Sequence, residues 1–136
     1  MMEVLDMCDG KQAGIGLLVD LKKQRIRIRR STIHLLGDPE YIQLLVNPED
    51  RIVAIRAVDQ ETSRDQTHWI GGKLRSHSGN SLDIHSRSFM EALASLVDGL
   101  DFGHSYSLSG AILQSARMAV FPLKTIRKMP GEEEVP

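Results

Sequence analysis

The stretch QRIRIRRSTIHLLG, residues 24–37, sets the tightest limit on how this chain folds. Arg25, Arg27 and Arg29 alternate with Ile26 and Ile28. A period of two is a strand period. It puts the three guanidiniums on one face and the isoleucines on the other, whereas a helix would scatter both sets. The preceding GIGLLVDL (14–21) reads as another strand and KKQ (22–24) as a turn, so a β-hairpin is expected. The isoleucine face needs a core. The arginine face needs water, acids on neighbouring strands, or an anionic partner.

The same grammar continues along the chain. Ser31 is placed to cap a short helix through Ile33, His34, Leu35 and Leu36, with Gly37 as its stop. YIQLLV (41–46) and RIVAIRAV (51–58) read as two strands around NPED, with Pro48 at the first corner of a type I turn. Residues 59–66, DQETSRDQ, hold no large apolar group and read as a linker. THWIGGKL (67–74) and SLDIHSR (81–87) read as a second hairpin around RSHSGN. Ser88 with Glu91 is a capping box ahead of an amphipathic helix carrying Phe89, Leu93, Leu96 and Val97, and Gly99 stops it. HSYSLSGAIL (104–113) and RMAVFPL (117–123) read as a closing hairpin around QSA, with Pro122 marking either an edge strand or the end of that strand.

The expected fold class is therefore α+β and mostly antiparallel: two pseudo-repeated β-hairpin–α–β-hairpin units sharing one core. The units run over 13–58 and 67–123, with a flexible N-terminus over 1–12, the linker at 59–66 and a disordered acidic tail over 124–136.

Composition narrows the function classes. With 136 residues and 41% hydrophobic content, one compact domain with an aliphatic core is the natural expectation. Aromatics are 4%, which weakens any reading based on stacking bases. The single Cys8 excludes an internal disulfide and fits a cytoplasmic protein. MMEVLDMCDGKQ does not read as a secretory signal, and no segment reaches the ~20 apolar residues of a membrane helix. The net charge is −1, but the charge is unevenly placed: residues 11–30 hold seven Lys and Arg against Asp20 alone, and the tail holds Glu132, Glu133 and Glu134. A basic stripe of this kind binds anions locally. The acidic tail is then a candidate screen for it.

The region 14–58 resembles the swapped-hairpin domain of AbrB-type transition-state regulators and MazE-type antitoxins. Gly14-Ile15, Asp20, Arg25, Ile28, Leu36-Gly37, Ile42 and Ile52 fall in that family's order at similar spacing. Arg29 stands where the family has a proline, and Gln24 where it often has a glycine. The segment LGDPEYIQLLVNPEDRIVAIR also resembles uncharacterised small bacterial and phage-borne proteins, a likeness that carries no activity. The first resemblance implies a DNA-binding fold of two interleaved units, here in one chain, with a homodimer as the family's usual assembly. It implies phosphate contacts from Lys22, Lys23, Arg25, Arg27, Arg29 and Arg30.

Other chemistry has weaker support. The alternative for the stripe is a solvated face offset by Asp20, Glu49 or Asp50. His34, His68, His77, His85 and His104 show no i, i+4 metal pair and no cysteine partners, so no metal and no cofactor is expected. Ser105, Ser107 and Ser109 alternate in a strand without a nucleophile elbow, which reads as a hydroxyl-rich outer face rather than a catalytic site. The expectation is a small, cytoplasmic, non-catalytic regulator that binds duplex DNA. The alternative is a protein-interaction or assembly module without nucleic acid, which gains if acids match the arginines.

Overall fold

The computed structural model of the protein describes residues 15–59, 67–72 and 79–129. The strands are β1 (Ile15–Asp20), β2 (Arg25–Arg29), β3 (Tyr41–Asn47), β4 (Ile52–Val58), β5 (Thr67–Trp69), β6 (Ser81–His85), β7 (Ser105–Leu113), β8 (Met118–Pro122) and β9 (Arg127–Lys128). Helix α1 (Arg30–Leu35) follows β2, and α2 (Arg87–Leu96) follows β6. The strands form one antiparallel sheet in the order β5-β3-β4-β8-β7-β1-β2-β6, with β9 added on β7, and the sheet curls into a nearly closed barrel.

This corrects the expected fold class. The protein is dominated by its sheet and is not a balanced α+β pair of repeated units. The hairpins β1–β2, β3–β4 and β7–β8 form as the sequence pattern predicts. The hairpin expected from THWIGGKL and SLDIHSR does not. Thr67–Trp69 pairs with Gln43–Tyr41 at one end of the strand order, and Ser81–His85 pairs with Arg29–Arg25 at the other. Two alternating strands that follow each other in sequence are compatible with either outcome, because alternation fixes which face is buried and not which neighbour is chosen.

The interior is one aliphatic cluster. Ile26 and Ile28 of β2, Leu17 and Val19 of β1, Leu82 and Ile84 of β6, and Leu108 of β7 pack with Ile42, Leu44, Val53, Ile55 and Phe121 from the other half of the sheet. Burying a side chain of this size stabilises the fold by about 1.5–3 kcal/mol, and this sets the register of β1 and β2. A one-residue slip would bury the arginines.

Strand β7 joins the two halves. Its residues up to Gly110 pair with β1, and Ala111–Leu113 pair with β8. The turn of direction requires glycine. A Cβ on Gly110 would overlap the Val120 carbonyl oxygen and lie 2.8 Å from Phe121 Cδ2. Strand β8 ends at Pro122, one of the two outcomes that proline suggested, and is not an edge: it lies between β4 and β7. Pro122 is tolerated because β7 has already departed: its last pair with β8 is Ala111 with Val120.

Three hairpins share a loop design. Asp20 and Arg25, Asn47 and Ile52, and Leu113 and Met118 are the closing pairs, and the residue before the second partner is left-handed each time: Gln24 (φ 55), Arg51 (φ 53) and Arg117 (φ 48). In the β3–β4 loop the Asn47 side chain accepts hydrogen bonds from the N–H groups of Glu49 (3.0 Å) and Asp50 (3.1 Å). Two of the left-handed residues also satisfy helix C-termini. Arg51 donates to the Leu96 carbonyl of α2 (3.0 Å), and Arg117 donates to the Leu36 carbonyl after α1 (3.1 Å).

The helix starts differ from the sequence reading. Helix α1 begins after Arg29 with no side-chain cap, so Ser31 lies inside it. Helix α2 is capped by Ser86, whose hydroxyl accepts from Phe89 N–H at 3.2 Å; Ser88 lies inside, and Glu91 pairs with Arg87. The segment assigned to an acidic tail, 124–136, opens with structure. Leu123–Thr125 is a 3-10 turn, and Arg127 and Lys128 pair with Ser107 and Tyr106. The acidic residues of that tail, the N-terminus 1–12 and most of the 59–66 linker lie outside the described residues. Among the described residues no helix is long and apolar enough to cross a membrane.

Candidate functional site

The outer face of β6-β2-β1-β7-β9 can be written as rows from the strand registers. One row runs His85, Arg25, Asp20, Ser105; the next runs Asp83, Arg27, Leu18, Ser107, Arg127. A third holds Ser81 against Arg29 and Gly16 against Ser109. The alternation that buries Ile26, Ile28, Leu17 and Val19 puts these polar residues together on the opposite side. All three β2 arginines therefore lie on one face, as the period predicts.

They are not equivalent. Asp83 of β6 stands directly opposite Arg27 and forks it: Arg27 Nε donates to Asp83 Oδ1 at 2.8 Å, and Arg27 Nη2 donates to Oδ2 at 3.1 Å. Asp83 also reaches Arg25 at 3.4 Å, and Asp20 takes Arg25 at 3.2 Å. Asp20 accepts the backbone N–H of Lys23 as well, which closes the β1–β2 turn. Hydrogen bonding to Asp83, and then its charge, raise the pKa of Arg27 above its ordinary value. Acids on neighbouring strands thus do match Arg25 and Arg27. Asp20 was foreseen in that role, whereas the second acid is Asp83 rather than Glu49 or Asp50, which lie in the β3–β4 loop.

The other sequence-predicted cations are placed differently. Arg30 has left the face; it lies in α1, with its Nε donating to the Gly79 carbonyl at 2.9 Å. Lys22 and Lys23 are exposed in the β1–β2 turn. Arg29 is exposed at the opposite end of the hairpin, and its side chain makes no hydrogen bond or ion pair with the described residues. Arg127, from the segment expected to be disordered, joins the same face beyond Ser107.

A groove of about 500 Å³ runs over β1 at the Arg29 end. Its floor is Gly16 and Leu18. Arg27 and Arg29 form one wall, and Ser107 and Ser109 form the other, with Ser81 and Asn80 at the end and Met129 at the rim. Gly16 keeps the floor low between Arg29 and Ser109, while the Leu18 side chain rises between Arg27 and Ser107.

Asp83, Gly16, Ser81 and Arg127 were not singled out from the sequence. Asp83 is the acid beside Ile84 in the β6 stretch SLDIHSR. Its role depends on β6 pairing with β2, which alternation alone does not specify. The serines Ser105, Ser107 and Ser109 do alternate on the outer face. His34 pairs with Asp38 at 2.6 Å and His104 with Asp101 at 2.8 Å, while His85 is exposed opposite Arg25. Among the described residues no three His, Cys, Asp or Glu side chains converge as a metal site. No family model, no curated protein and no solved structure matches this chain.

Proposed function

We propose that this chain is a small, cytoplasmic, non-catalytic binding protein that holds duplex DNA on the outer face of the β6-β2-β1-β7-β9 sheet. The observation that carries the reading is a positive excess that survives internal pairing. The face holds Arg25, Arg27, Arg29 and Arg127 against Asp20 and Asp83, with Lys22 and Lys23 at its end. A local excess of this kind attracts a polyanion although the whole chain is at −1. The resemblance of residues 14–58 to AbrB- and MazE-type domains supports the same reading. The residues that do the holding are revised: Lys22, Lys23 and Arg29 face the phosphates, while Arg25 and Arg27 brace the sheet.

The second reading, a protein-interaction or assembly module, draws on the Asp83 fork and the Asp20 pair, which neutralise half of the arginines. Fluorescence anisotropy with mixed-sequence duplexes at ~50 mM salt separates the two. Saturable binding is expected. No binding to any duplex removes the DNA reading and favours the interaction module.

A further inference from the structure

We propose that the groove over Gly16 is a seat for a single phosphodiester group. The proposal rests on the anion-binding reading of this face and deepens it by assigning one site and one charge state.

Three features of the groove point to an oxyanion. The first is that its walls are donors. Ser107 and Ser109 lie across β1 from Arg27 and Arg29, and Ser81 stands beside Arg29 on β6. Strands are spaced ~4.8 Å apart, so the two walls stand ~10 Å apart, wide enough for a phosphoryl group to reach donors on both sides. The second is that the Arg29 side chain is uncommitted among the described residues while Arg27 is only half committed. Arg27 spends Nε and Nη2 on Asp83, which leaves Nη1 for a ligand and holds the guanidinium plane in place. Arg29 brings a complete fork. The third is that the floor is open: a Cβ on Gly16 would meet only the Leu108 carbonyl oxygen, at 3.5 Å, an ordinary contact. The glycine is therefore not required by packing beneath it, and its effect is to leave the floor clear.

The charge on the groove selects the ligand class. Arg27 and Arg29 contribute two positive charges, and Asp83 behind Arg27 offsets one. The remaining single charge matches a phosphodiester monoanion better than a dianionic phosphomonoester. Leu18 on the floor and Met129 on the rim give apolar surface for the carbon substituents that a diester carries on both sides. A backbone phosphate of nucleic acid and a free phosphodiester share this chemistry.

The test uses the full chain, with dimethyl phosphate, inorganic phosphate and acetate as probes. Backbone amide shifts are followed by NMR at neutral pH, and a short duplex is followed in parallel by anisotropy. Dimethyl phosphate should shift the Gly16, Ser107 and Ser109 amides saturably, and more tightly than either other probe. Arg29→Gln should weaken it at least ~10-fold, the scale of losing a charged hydrogen-bonded fork. Gly16→Val should abolish it by filling the floor, while its melting temperature stays near that of the parent, since valine suits a strand.

Shifts spread over Lys22, Lys23 and Arg127, and unchanged in both variants, would mean diffuse charge attraction and overturn the seat. Tighter inorganic phosphate or acetate would overturn the diester assignment. Duplex binding by the parent chain, with no saturable dimethyl phosphate site, overturns this inference and leaves the DNA reading standing. A dimethyl phosphate site with no duplex binding does the reverse, and assigns the seat to a free phosphodiester.

Discussion

Replacing Asp83 with asparagine should move stability and DNA affinity in opposite directions. Asp83 holds Arg27 through two hydrogen bonds of 2.8 and 3.1 Å and touches Arg25 at 3.4 Å. The Asp83 and Arg27 side chains are 30% and 42% exposed, so water screens the pair. A hydrogen bond to a charged group contributes about 1.5–3 kcal/mol, and a fully exposed ion pair about 0.2–1. A half-exposed fork lies between, and Asp83→Asn should cost about 1–2 kcal/mol. The asparagine keeps the shape and one acceptor, so the fold survives. The same change removes a negative charge two strand spacings, ~10 Å, from the centre of the groove. Coulomb's law over that distance gives about 0.4 kcal/mol at the dielectric of water and about 1.7 at an effective value of 20, which is about two- to fifteenfold in affinity at low salt. Urea unfolding monitored by circular dichroism reads the first effect, and duplex anisotropy at ~50 mM salt reads the second. A variant that is less stable and binds duplex more weakly would refute the division of labour, because Asp83 would then be organising the contact surface itself. Unchanged stability would refute the brace.

The remaining predictions concern the frame that presents this face. Gly110→Ala should destabilise by about 3 kcal/mol, read by thermal unfolding, since the new methyl meets the Val120 carbonyl where β7 turns from β1 to β8. Gln24→Gly should stabilise by about 0.5–1 kcal/mol in the same assay, because Gln24 is exposed with φ 55, a left-handed conformation that costs side-chain-bearing residues about 1 kcal/mol. The Gly103 N–H donated to Asp101 at 2.9 Å, and after it the charges of neighbouring His104 and Lys128, hold the Asp101 carboxyl below its ordinary pKa. Its contribution is present above the unfolded carboxylate pKa of ~4 and is lost as pH falls through the lowered folded value, so Asp101→Asn should make the acid limb of a stability–pH curve below about pH 4 less steep.

What could be read from the sequence follows from what side-chain alternation encodes. The isoleucines of RIRIR declare one face of β2 as core, and the arginines share the other face for that reason alone. The turns KKQ, NPED and QSA were equally legible, because each closes a hairpin between segments of opposite pattern. The left-handed backbone of Gln24 (φ 55) was not legible in the same way, since no glycine marks that position. Strand neighbours at long range were not legible. Nothing in SLDIHSR states that Asp83 will face Arg27 from 56 residues away, nor that THWIGGKL will send its strand to Tyr41. These pairings depend on how both halves close over a common core, a non-local property. The same limit hid the groove, which exists only once β1 lies between β2 and β7.

The most direct test of the account is the salt dependence of duplex affinity for the parent chain, Arg29→Gln and Arg25→Gln. Each phosphate contact contributes about −0.9 to the slope of log K against log salt. The account predicts a slope less steep by about one in Arg29→Gln. It predicts no change in Arg25→Gln, whose guanidinium is already held by Asp20 and Asp83. Equal losses in the two variants, or none in either, would contradict it.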